Sequence, residues 1–121
     1  MAAIDAGLRS FKLFMTYDRM RLSDEQILDV LSVARAHGAL TMVHAENHGM
    51  IGWLASKMVK AGNTKPRYHA ICHTRGAEAE AINRVITLAE LVDAPILIVH
   101  VSTPDGIDAI RRARARGTKV F

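Results

Sequence analysis

The sequence predicts an α/β fold in which short strands of a parallel sheet alternate with helices. Three apolar runs of strand character, at residues 10–15, 40–44 and 96–100, are each followed by a segment with helical periodicity. The last two runs end in His44 and His100, and the first carries Lys12. Because sites in parallel α/β sheets form at the carboxyl ends of the strands, these polar residues are candidate site residues.

Composition is that of an ordinary globular domain, with 50% hydrophobic and 23% charged residues among 121. No apolar run is long enough to span a membrane, and the first residues lack the basic start and apolar core of a signal peptide. We therefore expect a cytoplasmic protein without a membrane partner. A single cysteine, Cys72, excludes an internal disulfide and a cysteine-rich metal site.

The net charge of +4 raises the question of a nucleic-acid partner. Much of the basic excess lies in the arginine-rich run at residues 111–116, which has no aromatic residues interleaved for base stacking. A solvated helix surface is the favoured interpretation, and no nucleic-acid partner is expected. A nucleic-acid-binding module stays open as an alternative that requires arginines on one face and a salt-dependent affinity.

Residues typical of helix starts and ends support the alternation of strands and helices. Ser23 and Gln26 fit a capping box, and His37 followed by Gly38 fits a helix end. Further helices are predicted from Met50 to residues 61–63, over residues 78–92 and after Pro104, with a polar connection at 64–69 between the first two. The predicted inward residues are Ile27, Val30, Leu31, Ala34, Ile82, Val85, Ile86, Ala89, Ile107, Ile110 and Ala113. A further apolar stripe along one side of a helix is predicted at Met50, Ile51, Leu54 and Met58.

Residues 2–6 read as the tail of a helix, and residues 118–121 read as the start of a fourth strand. We therefore expect residues 1–121 to be one internal segment of a larger α/β domain, with three β-α steps.

Lys12 is the unusual residue of the first strand. Lysine is almost never fully buried without a partner, because desolvating an ammonium is costly. Either Lys12 reaches water past the sheet or its charge has been changed. Taken singly, His44 and His100 are ordinary hydrogen-bonded histidines at strand ends. Three such residues at equivalent strand ends favour a metal site, since histidine binds zinc and a carboxylated lysine supplies oxygen ligands without an ammonium.

Three motifs closely resemble the cyclic amidohydrolases of the dihydropyrimidinase and D-hydantoinase group. They are SFKLFMTY at 10–17, VHAEN at 43–47 and VHVS at 99–102. The resemblance extends along essentially the whole chain. The family fold is a TIM-type (β/α)8 barrel flanked by a small β-sandwich, and the chain resembles about three β-α units from the middle of that barrel.

The resemblance implies a site with two zinc ions. Lys12 matches a lysine that carbon dioxide converts to a carbamate and that bridges the two metals. His44 and His100 match the histidines that bind the second zinc. Tyr17 matches a tyrosine whose hydroxyl polarises the substrate carbonyl and steadies the developing oxyanion. Glu46 and Asn47 resemble groups that order the ligands and the loop.

Other parts of the family site have no counterpart in this chain. These are the His-x-His pair of the first zinc and an aspartate near the end of the barrel, for which Asp105 and Asp108 are poor substitutes. Among the remaining histidines, His48, His69 and His73 are interpreted as surface residues rather than ligands, with His69 the best candidate for a structural role beside the pocket.

The implied activity is metal-dependent hydrolysis of a dihydropyrimidine or a 5-substituted hydantoin to an N-carbamoyl amino acid. A full-length protein is expected to be a homotetramer with a small cyclic amide as substrate, whereas the 121-residue chain alone is expected to be inactive. Two alternatives stay open. One is a non-catalytic scaffolding relative or inactive truncated copy, and the other is an allantoinase-type or dihydroorotase-type enzyme.

Overall fold

A computed structural model describes residues 2–121 and contains a parallel three-stranded sheet in the order β1-β2-β3. This confirms the predicted α/β class. Among these residues, no helix combines the length and the apolar character needed to cross a membrane. The elements in chain order are α1 Ala2–Asp5, β1 Ser10–Phe14, α2 Asp24–Ala36, β2 Leu40–His44, α3 His48–Lys60, α4 Arg67–Cys72, α5 Arg75–Leu91, β3 Ile96–Ile98 and α6 Pro104–Ala115.

The two faces of the sheet differ. Side chains alternate along a strand, so Leu13, Val43 and Ile98 share one face, where they are buried in one core cluster with residues of α2 and α5. The opposite face, called here the open face, carries Lys12, Phe14, Met42, His44 and Leu97. Because no element among residues 2–121 packs fully over it, Phe14, Met42 and Leu97 stay partly exposed and Lys12 is exposed.

The predicted caps are present. Ser23 Oγ accepts a hydrogen bond from Gln26 N at 3.3 Å, and Gln26 Oε1 accepts one from Ser23 N at 2.9 Å, which completes a capping box for α2. The same helix ends at His37, and Gly38 follows with φ of 64°. Gly117 ends α6 in the same way with φ of 90°.

Three boundaries differ from the sequence-based expectation. The polar connection at 64–69 contains the start of α4, and α5 begins three residues early at Arg75 because Thr74 Oγ1 caps it by accepting from Ala77 N at 3.1 Å. β3 ends at Ile98, so His100 lies in a turn with φ of 41° rather than in the strand. The expected fourth strand is present only as a parallel bridge between Ile96 and Val120.

The buried stripe of α6 is shifted from the predicted one. Gly106, Ala109 and Ala113 are buried, whereas Ile107 is 45% exposed. The small residues face α5, and a Cβ added to Gly106 would lie 2.8 Å from Ile82 Cδ1. Close approach of the two helices therefore selects the small residues for the inside, against the hydrophobicity ranking. The four predicted inward residues of α5 are all buried, as expected. The apolar stripe predicted for α3 does not form a buried face, since no residue of α3 is buried. This helix packs mainly against α4, which has six residues and is too short to cover it.

Candidate metal centre at the carboxyl edge of the sheet

Three of the four sequence-predicted site residues meet at the carboxyl edge of the sheet. His44 is the last residue of β2 and is only 7% exposed. Its ring centroid lies 4.7 Å from that of His100, 5.1 Å from Tyr17 and 5.6 Å from Phe14. His44 is therefore at the centre of the cluster. The fold brings it next to His100, which lies 56 positions later in the sequence.

Tyr17 and His100 share an unusual backbone conformation. Both are non-glycine residues with positive φ, 73° for Tyr17 and 41° for His100. Such a residue costs of order 1–3 kcal/mol and persists only where its surroundings impose it, often at functional sites. The turn at Tyr17 is closed by the N–H groups of Met20 and Arg21, which both donate to Tyr17 O at 2.9 Å.

Lys12 lies on the same open face but is not drawn into the histidine cluster. Its Nζ sits 5.0 Å from the Phe14 ring centroid, and Phe14 in turn stacks on His44. Its side chain forms no hydrogen bond or ion pair with the described part of the chain. Of the two alternatives that the sequence left open for Lys12, the structure shows the first, because the open face is not covered and Lys12 reaches solvent past it.

Glu46 joins two histidines. His44 Nε2 donates to Glu46 Oε2 at 2.7 Å, and His73 Nδ1 donates to Glu46 Oε1 at 2.7 Å. Burial raises the pKa of Glu46, but the hydrogen bonds from His73 and His44 and the positive potential of both rings outweigh it and hold that pKa below 4.5, its ordinary value. A carboxylate only accepts hydrogen bonds, so His44 carries its proton on Nε2 and, when neutral, presents Nδ1 as a free lone pair.

His73 was not recognised as part of this cluster from the sequence. It is half-buried, lines the same cavity as His44 and packs against His69 with a centroid separation of 4.2 Å. No sequence signal separates it from a surface histidine, because its contact with Glu46 spans 27 residues.

Asn47 orders the loop as expected, since its side chain caps α3 by accepting from Met50 N at 3.0 Å.

A second missed residue, Glu78, could have been found from the helical period. It precedes Ile82, Val85 and Ala89 by 4, 7 and 11 positions, which puts a carboxylate on the buried stripe of α5. The structure confirms this position, since Glu78 is only 8% exposed. The helix predicted from the sequence began at Glu78. An acidic residue is common at the start of a helix, so Glu78 was not recognised as a candidate site residue.

The histidine cluster borders a cavity of about 270 Å³. Its polar lining includes His44, Glu46, His73, Glu78, His100 and Ser102. Two larger hollows, of about 320 Å³ between α1 and α2 and about 470 Å³ beside α3, have mainly apolar linings and contain none of these six residues. The polar cavity, rather than either larger hollow, is therefore the candidate site.

The donor set fits part of a zinc site. Imidazole nitrogen is a normal zinc ligand, the His44 Nδ1 lone pair is free, and the His100 ring makes no hydrogen bond within the described residues. Glu46 holds the other nitrogen of His44, an arrangement that commonly orients metal-binding histidines. Over residues 2–121, however, no group of three or more His, Cys, Asp and Glu side chains is arranged to hold a metal ion. The chain thus offers two histidines and a nearby lysine, which is half of the expected ligand set.

The two aspartates of α6 form ion pairs with arginines. Asp105 pairs with Arg75 at 2.8 Å and Asp108 with Arg111 at 2.9 Å, and both aspartates are exposed. The arginines of the 111–116 run are all exposed, as expected for a solvated helix surface.

Comparison with known proteins gives consistent relatives. No family model matches the chain. The D-hydantoinase of Ralstonia pickettii is 43% identical over 118 residues, which are 97% of this chain and 26% of that protein. The D-hydantoinase of Rhizobium radiobacter is 45% identical over 114 residues, 93% of this chain and 25% of that protein.

Solved structures agree with the sequence relatives. The crystal structure of dihydropyrimidinase from Brevibacillus agri superimposes with a TM-score of 0.96 at 38% identity, covering 99% of this chain and 26% of that one. A D-hydantoinase structure gives a TM-score of 0.94 at 42% identity, with coverage of 97% and 26%. The chain spans about a quarter of the length of the relatives it matches. Over that quarter, sequence and structure show that this chain belongs to the dihydropyrimidinase and D-hydantoinase family.

Proposed function

We propose that this chain is part of a metal-dependent cyclic amidohydrolase that opens a dihydropyrimidine or a 5-substituted hydantoin to an N-carbamoyl amino acid. The observation that carries the proposal is the convergence of His44, His100 and Tyr17 at one edge of the sheet. The names of the relatives support the substrate class, since they are D-hydantoinases and a dihydropyrimidinase.

The proposed architecture is a (β/α)8 barrel, of which residues 1–121 form about three β-α units. Parallel strand order and a half-covered open face support it, because a barrel covers that face with its other strands. The carboxyl edge of the strands is also where barrel enzymes place their sites. The rest of the barrel and the small β-sandwich would lie in other parts of the full-length protein.

The proposed metal ligands of this chain are Lys12, as a carbamate made with carbon dioxide, together with His44 and His100. Lys12 would bridge two zinc ions, and the two histidines would hold one of them. When bound, the zinc pair supplies a nucleophile at neutral pH and polarises the substrate carbonyl. Carbamate formation needs an accessible amine, and Lys12 is exposed and forms no ion pair with an acidic residue among residues 2–121.

The chain's own side chains then divide the remaining work. Glu46 keeps the His44 ring oriented, with Nδ1 directed away from their hydrogen bond. Tyr17 is 39% exposed and packs its ring on His44, so its hydroxyl can donate to an oxyanion that develops on substrate held beside the histidines. The His-x-His pair and the aspartate proton shuttle would come from outside this chain.

A small cyclic amide is the proposed substrate, with neither nucleic acid nor membrane as partner. We also propose that the full-length protein is a cytoplasmic homotetramer. The alternatives are a scaffolding or inactive truncated relative and an allantoinase-type or dihydroorotase-type enzyme. Retention of Lys12, His44 and His100 is evidence against loss of function, and the hydantoinase relatives are evidence against the second alternative.

The test is a chimera in which this chain replaces the matching quarter of the Ralstonia pickettii D-hydantoinase. We expect hydantoin or dihydrouracil hydrolysis with about two zinc ions per subunit, the number that a two-metal site holds. Lys12→Ala should lose both activity and zinc, with partial recovery by small carboxylic acids that replace the carbamate. Lys60→Ala, at the exposed end of α3, is the matched control and should change neither.

Unchanged zinc content and rate in the Lys12→Ala chimera would exclude Lys12 as the bridge. The 121-residue chain alone should show no turnover with added zinc and bicarbonate, because it lacks half of the ligands. Turnover by the isolated chain that Lys12→Ala abolishes would show that the ligand set is already complete within it.

A further inference from the structure

Glu78 is a buried carboxylate whose side chain has one hydrogen-bond partner among residues 2–121. It lies in the first turn of α5, and its Oε1 accepts a hydrogen bond from Ser102 N at 2.7 Å. Its Oε2 is buried and has no partner among residues 2–121. Burying a carboxylate costs free energy unless hydrogen bonds or nearby charge offset it. The amino-terminal end of α5 offsets part of that cost, because the helix dipole favours a negative charge there.

The side-chain hydrogen bond of Glu78 reaches the turn that carries His100. Ser102, whose N–H is held by Glu78, also donates from Oγ to His100 O at 2.8 Å. His100 is in the left-handed region, with φ of 41°, where a side chain with a Cβ is strained. Glu78 and Ser102 thus form a connected pair of hydrogen bonds that ends on the strained residue.

We propose that Glu78 is a positioning residue for His100. Through Ser102 it holds the turn in the left-handed conformation that places the His100 ring 4.7 Å from the His44 ring. The two histidines would then each be set by a carboxylate that lies outside the sheet, His44 directly by Glu46 and His100 indirectly by Glu78. The part of this inference that concerns metal binding rests on the proposed function, in which His100 is a ligand.

The same helix contains a second glutamate, Glu90, whose contacts are structural only and can be compared with those of Glu78. Glu90, near the other end of the same helix, binds Arg116 and Thr118 at 2.7 and 2.6 Å and makes no contact with the site. Glu90→Ala removes a carboxylate from α5 without touching His100. It is therefore the matched control for Glu78→Ala.

The experiment uses nuclear magnetic resonance on the 121-residue chain with the variants Glu78→Ala, Glu78→Gln, Ser102→Ala and Glu90→Ala. In the unchanged chain, the Ser102 amide proton should be shifted downfield and protected from exchange, and His100 couplings should report a positive φ. Glu78→Ala should abolish both signatures. Glu78→Gln keeps a neutral acceptor and should move the Ser102 amide upfield while His100 keeps its φ. Ser102→Ala should weaken the His100 signature alone, and Glu90→Ala should leave both unchanged.

Zinc titration of the D-hydantoinase chimera that carries each of these variants adds a functional readout, because the chain alone holds only half of the expected ligands. Loss of a side chain that orients a metal ligand typically weakens affinity about 10- to 100-fold, so we expect a loss of that size in Glu78→Ala. We expect a loss of less than about tenfold in Glu78→Gln, because the acceptor oxygen is retained.

Three results overturn parts of the inference separately. If Glu78→Ala leaves the Ser102 and His100 resonances unchanged, Glu78 does not position the turn. If Glu78→Ala does not fold, Glu78→Gln provides the test. An unchanged chemical shift of the Ser102 amide proton in Glu78→Gln would refute the hydrogen bond between Ser102 N and Glu78. If the unchanged chain shows the resonance signatures but the chimera that carries it binds no zinc, the proposed function fails while the positioning of His100 by Glu78 stands.

Discussion

Replacing Gly106 by alanine should destabilise the chain, although glycine to alanine usually stabilises a helix. A Cβ at this position would lie 2.8 Å from Ile82 Cδ1, 2.9 Å from Val101 Cγ1 and 3.3 Å from Thr103 Oγ1. Carbon atoms in contact normally approach to about 3.5–4.0 Å. Ile82 is fully buried, so it cannot turn away into solvent, and α6 must move off α5 or a rotamer must change.

The magnitude follows from two opposing terms. Alanine gains about 0.5–1 kcal/mol over glycine inside a helix. Overpacking a filled core costs about 1–3 kcal/mol. The net expectation for Gly106→Ala is a loss of about 1 kcal/mol in the free energy of unfolding. Gly52, inside α3, is the control because nothing lies within 4 Å of an added Cβ, and Gly52→Ala should gain about 0.5–1 kcal/mol.

Urea denaturation followed by circular dichroism compares the two variants with the unchanged chain. The midpoints should move in opposite directions, down for Gly106→Ala and up for Gly52→Ala, with similar slopes. A stabilised Gly106→Ala would show that α5 and α6 are not packed as closely as the structure has them. It would also remove the reason why the small residues of α6, rather than Ile107, face inward.

Two further predictions concern the stability of the chain. Hydrogen bonds from Thr118 and Arg116 hold the pKa of Glu90 below 4.5, its ordinary value, so the folded state binds this proton more weakly than the unfolded state. The stabilisation is therefore complete above about pH 4.5 and is lost as the pH falls through the folded-state pKa. Because Glu90 is exposed to solvent, the effect on the free energy of unfolding should be below about 1 kcal/mol. In Glu90→Gln, the dependence of that free energy on pH should be weaker in this range. An unchanged pH dependence would refute the role given to Glu90. Ser23→Ala removes the capping box of α2 and should cost about 1 kcal/mol in urea denaturation, whereas an unchanged midpoint would show that the cap is not formed in solution.

Much of the fold could be predicted from the sequence because the signals are local. A capping box needs only Ser23 and Gln26, three residues apart, and a helix end needs a residue such as Gly38 that accepts a positive φ. The apolar period of α5 likewise predicted its buried face. The boundary errors, at α4 and at the end of β3, occurred where a tertiary contact or a strained turn overrides local preference.

The candidate site divides in the same way. The residue pattern at 10–17, 43–47 and 99–102 was enough to name Lys12, Tyr17, His44 and His100, and the parallel order of the strands predicted a common edge. Only the tertiary structure could show which of them touch, because those contacts join residues tens of positions apart.

The sequence by itself therefore determined the α/β class, the caps and the identity of the candidate ligands, all of which depend on spacing within a few residues or on motif type. The tertiary structure decided that Glu46 bridges His44 and His73, that Glu78 reaches the His100 turn, and that Lys12 stays in solvent. The physical reason is that hydrogen bonds and burial depend on distances between atoms in space. For residues far apart in the sequence, those distances are set by the tertiary fold and cannot be read from the spacing of residues along the chain.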